Sequence, residues 1–120
     1  MISIAVLSLA LTMGATDART DAPLVPGAIE LEDLGRYDSP RSFDDTVEYY
    51  ERYFRGDRQR RWRHIVNLPT VRAQHVENKK KESGWSGINI YEHRGKVRIY
   101  IIPNLEYLAK PKSESGKKKK

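Results

Sequence analysis

The chain has 120 residues, no cysteine and a formal net charge of +6. That length holds one hydrophobic core and is too short for a second independent one. Without cysteine there are no disulfides, thiolate zinc sites or cysteine nucleophiles, so stability must rest on apolar burial and backbone pairing.

The first segment, MISIAVLSLALTMGATDA (residues 1–18), is an apolar run from Ile2 to Ala15 followed by small residues. It reads as a signal peptide, with Ala15 or Ala18 placed for cleavage. The run is short for a bilayer span, so no stable span is expected after cleavage. The expected location is extracytoplasmic, either periplasmic or secreted. The n-region lacks Lys and Arg, however, and a start at Met13 would instead give a cytoplasmic form. Residues 19–27, RTDAPLVPG, are rich in turn formers and predict an extended leader.

A single domain is expected over residues 28–103. AIELE (28–32) alternates apolar residues with glutamate, as a short edge strand would, and DLGRYDSPR then supplies turns. SFDDTVEYYERYFRG (42–56) predicts a helix, because Phe43, Val47, Tyr50 and Phe54 fall on one face. Ser42 can cap it, Asp44 and Asp45 suit the positive end of its dipole, and Gly56 marks its stop. Glu48 with Arg52 and Glu51 with Arg55 form i,i+4 pairs in the favourable order.

The next stretch, RGDRQRRWRH (55–64), holds five arginines and a tryptophan. Extended, RWRHIVNL (61–68) puts Trp62, His64, Val66 and Leu68 on one side and Arg61, Arg63, Ile65 and Asn67 on the other. TVRAQHVE groups Val71, Ala73 and His75, and a tight connection near Pro69 predicts Val66 opposite Val71 and Trp62 opposite His75. NKKKESGWSG (78–87) reads as a polar loop. INIYEHRGKVRIYII (88–102) predicts a hairpin that turns at Arg94 and Gly95, or over a loop widened to 93–96, either of which pairs Ile90 with Ile99 and Ile88 with Ile101. Residues 104–120 are expected to be a disordered, lysine-rich tail, since they carry no core-forming pattern.

These elements predict an α+β two-layer sandwich, with one amphipathic helix packed on an antiparallel sheet of about four to five strands. The sheet face away from the helix is expected to carry Arg63, Arg72, Gln74, Asn89, Tyr91, Arg98 and Tyr100. VPGAIEL, then SPRSFDDTVEYYERYF, then a tryptophan strand resembles small exported bacterial α+β modules. In these a Pro-Gly-Ala turn opens a strand and a Ser-capped helix carries an aromatic pair, matched here by Tyr49 and Tyr50. The resemblance spans roughly Pro26 to Pro103 and implies export and fold, but no activity, cofactor or catalytic residue.

The charge distribution bears on function. Lys110 to Lys120 holds six lysines and one glutamate, which is +5 of the total +6. Residues 19–109 carry 16 basic and 14 acidic groups, a net of +2. They are polarised, with ten acids and four bases from Asp21 to Asp57, and four acids and eleven bases from Arg58 to Ala109. Such asymmetry favours complementarity between the halves or an oriented encounter with a charged partner.

No phosphate loop, nucleophile elbow, HExxH or paired-carboxylate motif is present, and no catalytic residue, cofactor or metal site is expected. His64 and His75 could share a sheet face but lack the further ligands that zinc requires. The expected function is that of a non-enzymatic module binding an envelope or extracellular protein or polysaccharide. Arg63, Arg72, Tyr91, Arg98 and Tyr100 are the candidate partner-binding residues. One alternative is an anionic-polymer or nucleic-acid binder driven by the Arg-rich stretch and a tail ending in Lys117, Lys118, Lys119 and Lys120. A second is a small hydrolase or metal protein whose site is assembled from distant residues.

Overall fold

Period-two alternation in residues 85–103 builds the centre of the molecule. In the computed structural model, which describes residues 15–110, strands β7 (Trp85–His93) and β8 (Lys96–Pro103) form an antiparallel hairpin. Its register pairs Ile88 with Ile101 and Ile90 with Ile99, as the sequence predicts. The turn has only two residues, Arg94 and Gly95, both at positive φ (54° and 81°), which is the backbone that matches strand twist in a two-residue hairpin.

Around this hairpin the fold is α+β. The main sheet has six strands rather than four or five, in the order β3 (Ile29–Glu30), β4 (Arg36–Asp38), β8, β7, β6 (Val71–Asn78), β5 (Arg60–Asn67). Every described pairing is antiparallel. A separate two-stranded sheet joins β1 (Ala15–Thr16) to β2 (Pro23–Leu24). The extra strand in the main sheet is β4: Arg36, Tyr37 and Asp38 lie in a segment whose composition predicts turns, yet they pair with Tyr100, Ile99 and Arg98.

Helix α1 runs Phe43–Tyr53, slightly shorter than the sequence predicts, because the chain leaves helical geometry at Phe54. Its Ser42 cap accepts from the Asp45 amide at 3.1 Å. Phe43, Val47, Tyr50 and Phe54 are buried together with Val76, Trp85, Ile88, Ile90, Val97, Ile99 and Ile101. The Glu48–Arg52 pair forms at 3.0 Å; Glu51 and Arg55 are not within ion-pair distance.

Two bulges correct the expected faces. The β5–β6 register slips between His64 and Val66, leaving Ile65 as an extra residue. Val66 therefore pairs with Ala73 instead of Val71, and Trp62 with Val76 instead of His75. The slip carries Val66 to the outward face beside Ala73, while Trp62 keeps its expected place on the helix side, against the core. It also separates the histidines, since His75 pairs with Arg63 while His64 pairs with Gln74 on the opposite face. Gln74 and Arg72 belong to the helix side as well, opposite Ile90 and Glu92, not to the outward face. A second slip between Trp85 and Gly87 turns Trp85 inward, where its ring lies 5.7 Å from that of Phe54.

The segment expected to be a leader is packed. Ala22, Leu24 and Val25 are buried, and the Tyr50 hydroxyl donates to the Pro23 carbonyl at 2.8 Å. Asp17 anchors this segment. It is 1% exposed, and its carboxylate accepts from the Thr20 hydroxyl (2.6 Å), the Thr20 amide (3.1 Å) and the Tyr37 hydroxyl. Thr20 in turn rests on Gly84, where a Cβ would come within 2.7 Å of the Thr20 carbonyl oxygen. After β8, α2 (Leu105–Leu108) is a single helical turn with no buried residue.

Burial alone would raise the Asp17 pKa, but hydrogen bonds from Thr20 and Tyr37, aided by the Arg19 charge, outweigh it and hold the carboxyl below its ordinary value. The stabilisation is therefore present above the ordinary value of 3.8 and is lost as pH falls through the lower folded value. Asp17→Asn is expected to lower stability at pH 7 by about 1–3 kcal/mol, the range for hydrogen bonds to a charged group. Urea unfolding at pH 7 and in strong acid should show this gap closing at the acid end.

Candidate functional site

Strand alternation that turns the isoleucines toward α1 turns their neighbours outward. On β7 and β8 the outward residues are Asn89, Tyr91 and His93, and Lys96, Arg98 and Tyr100. Across the rest of the sheet they are joined by Arg36 and Asp38 on β4, Ala73, His75 and Glu77 on β6, and Arg61 and Arg63 on β5. His75, Asn89, Tyr91, Arg98 and Tyr100 are each partly exposed.

Contacts on this face run across the strands. Tyr91 lies directly opposite Arg98 in the β7–β8 register. The Arg36 guanidinium stands 4.7 Å from the centre of the Tyr100 ring and donates to the Tyr91 hydroxyl at 2.9 Å, tying both tyrosines to one cation. Arg98 donates to Asp38 at 3.1 Å. His75 Nδ1 is 2.5 Å from Asn89 Oδ1, and Arg63 is 3.6 Å from Glu77. The side chains of these ion pairs are 37–54% exposed, so solvent screens them and each adds little to stability.

At the β7–β8 turn the face dips into a cavity of about 290 Å³ lined by Tyr91, His93, Arg94, Lys96 and Arg98. Three cationic side chains and no carboxylate border it, which suits an anionic group. Over the whole face five cations (Arg36, Arg61, Arg63, Lys96, Arg98) stand against two carboxylates (Asp38, Glu77). The solvent side of α1 is net acidic, with Asp44, Asp45, Glu48 and Glu51 exposed against Arg52.

Four of the five expected partner-binding residues, Arg63, Tyr91, Arg98 and Tyr100, share this face. Arg72 does not. Its guanidinium lies 4.5 Å from the Phe43 ring centre and bonds Glu92 at 2.9 Å and Asp44 at 3.0 Å, closing the sheet against the start of α1. Arg60 does the same at the helix exit: it stands 5.1 Å from the Phe54 ring centre and 5.0 Å from that of Trp85, and donates to Asn78 at 2.7 Å. The five arginines of residues 55–64 thus divide, with Arg60 serving the core, Arg61 and Arg63 the open face, and Arg55 and Arg58 exposed near the helix exit. Asp57 accepts from the Gln59 amide at 2.9 Å, so it shapes the turn after the helix.

Arg36, Asp38 and His75 complete the face and were hidden in the sequence, the first two by turn-like composition and His75 by the bulge. Lys117 to Lys120 lie outside the described residues. Among the described residues no three His, Asp or Glu side chains are grouped as metal ligands, and no helix is long and apolar enough to cross a membrane. No family model, curated protein or solved structure matches the chain. The resemblance to exported bacterial modules therefore rests on the quoted residues alone.

The two kinds of arginine predict different costs. Arg60, whose side chain is 14% exposed, is expected to cost about 1–3 kcal/mol as Arg60→Ala, through lost ring contacts and the lost hydrogen bond to Asn78, whose Oδ1 keeps the Lys80 amide. Arg36, whose side chain is 40% exposed, is expected to cost about 0.5–1 kcal/mol as Arg36→Ala. Urea unfolding of both variants at neutral pH tests the ranking.

Proposed function

We propose that the protein is an exported, non-enzymatic module that binds an acidic polymer of the envelope or extracellular space through its open Tyr/Arg sheet face. The observation that carries this reading is the face itself, where five cations against two carboxylates surround Tyr91 and Tyr100 on a surface that α1 does not cover. Cations on a rigid strand platform cost less to immobilise on binding than the same charges on a flexible segment. The cavity bordered by Arg94, Lys96 and Arg98 is the subsite for the acidic group, and Tyr91 supplies its wall. The acidic exposed side of α1 repels the same ligand and so orients the encounter.

The competing reading makes the lysine tail the driver of binding. Polygalacturonate serves as the probe, because it carries carboxylates on a sugar chain. Replacing Arg94, Lys96 and Arg98 together by alanine is expected to weaken its binding at least about tenfold in low salt. Deleting residues 110–120 is expected to change it less than about threefold, with amide shifts still centred on Tyr91, Arg98 and Tyr100. Loss of binding on tail deletion, with the triple variant unaffected, contradicts the proposal.

A further inference from the structure

We propose that the apolar leader is cut away upstream of Asp17, at the Gly14–Ala15 or Ala15–Thr16 bond, and that the junction after Ala18 is not used. The inference rests on the export reading and specifies which residues the mature protein keeps. Hydrolysis by a signal peptidase adds one water across that bond, leaving a carboxylate on the released leader and a new amino terminus at Ala15 or Thr16.

Sequence alone permits either position. Signal peptidases favour small residues one and three positions before the cut. Gly14 with Thr12 meets that pattern for the Gly14–Ala15 bond and Ala18 with Thr16 meets it for the downstream one, whereas the Ala15–Thr16 bond has a small residue only at Ala15, with Met13 at the third position.

The fold decides between them. Asp17 is part of the core: its amide donates to the Ala22 carbonyl at 2.8 Å, its carbonyl accepts from the Asp21 amide at 2.7 Å, and its carboxylate holds Thr20 and Tyr37. Tyr37 is 6% exposed, and Asp17 is the hydrogen-bond partner of its hydroxyl among the described residues. A cut after Ala18 removes that acceptor and leaves the Tyr37 hydroxyl and the Thr20 amide buried without one. Each such orphan is costly. The same cut deletes the pairing of Ala15 with Leu24 and Thr16 with Pro23. It also creates an ammonium at Arg19, beside the tight contact of Thr20 with Gly84. A cut at Gly14–Ala15 leaves all of these contacts intact, and one at Ala15–Thr16 gives up only the Ala15–Leu24 pairing.

The test is the intact mass of the full chain expressed in an exporting bacterial host and recovered from the extracytoplasmic fraction. A first residue of Ala15 or Thr16 is expected. A first residue of Arg19 or later overturns the inference while leaving export standing, whereas an uncut chain overturns export and the cut together. A second arm compares chains 15–120 and 19–120 made without a leader. The shorter chain is expected to melt at least about 8 °C lower, or to fail to fold, given two buried groups left unpaired in a domain of this size. Equal melting temperatures overturn the structural ground of the inference, and Asp17→Ala in chain 15–120, expected to lower the melting temperature in the same direction, reads the carboxylate's share where 19–120 yields no soluble protein.

Discussion

Everything else in the molecule follows from one contact: the aliphatic side of the β7–β8 hairpin against the apolar stripe of α1. Ile88, Ile90 and Ile99 are fully buried, Ile101 is 1% exposed, and Tyr50 has no exposed surface above them. Removing a buried isoleucine typically costs about 2–5 kcal/mol, so a one-residue slip that turned four outward would exceed the stability of most domains. The contact therefore fixes the register, and the register fixes which side chains face water. The Tyr/Arg surface is the obligatory reverse of the isoleucine surface.

Arginine closes both ends of this contact. Arg72 lies over Phe43 at the start of the helix, and Arg60 lies over both Phe54 and Trp85 at its exit. Each covers an aromatic ring with its stem and guanidinium while keeping polar partners within reach. Burial of the helix stripe leaves Asp44, Asp45, Glu48 and Glu51 in solvent, while Arg36, Arg61, Arg63, Lys96 and Arg98 share the opposite side of the sheet. This separation into an acidic helix layer and a basic sheet face is the three-dimensional form of the charge asymmetry between the two halves of the chain. It gives a charged partner a preferred side of approach.

The strongest periodic signals were legible in the sequence. The hairpin register, the Ser42 cap and the four-residue apolar stripe of the helix all follow from local spacing and turn chemistry. The remainder depends on non-local facts. Arg36, Tyr37 and Asp38 form a strand only because β8 offers a free edge, and three residues flanked by Gly35 and Ser39 carry too short an alternation to announce it. The extra residue at Ile65 reverses the faces of a strand whose alternation reads cleanly in either phase, which hid His75 and misplaced Arg72. Residues 19–27 read as a leader by composition, yet Ala22, Leu24 and Val25 become core through the Tyr50 hydroxyl and the Asp17 network, both long-range.

Amide hydrogen exchange tests the layering most directly, because it reads the contact between hairpin and helix without altering it. Slowest exchange is expected at Ile88, Ile90, Ile99 and Ile101 and in α1 around Val47 and Tyr50, with the two segments opening together at the free energy of global unfolding. Exchange of the α1 amides at a much lower free energy than those of the isoleucine strands would mean that the helix does not cover the sheet, and the layering would be wrong.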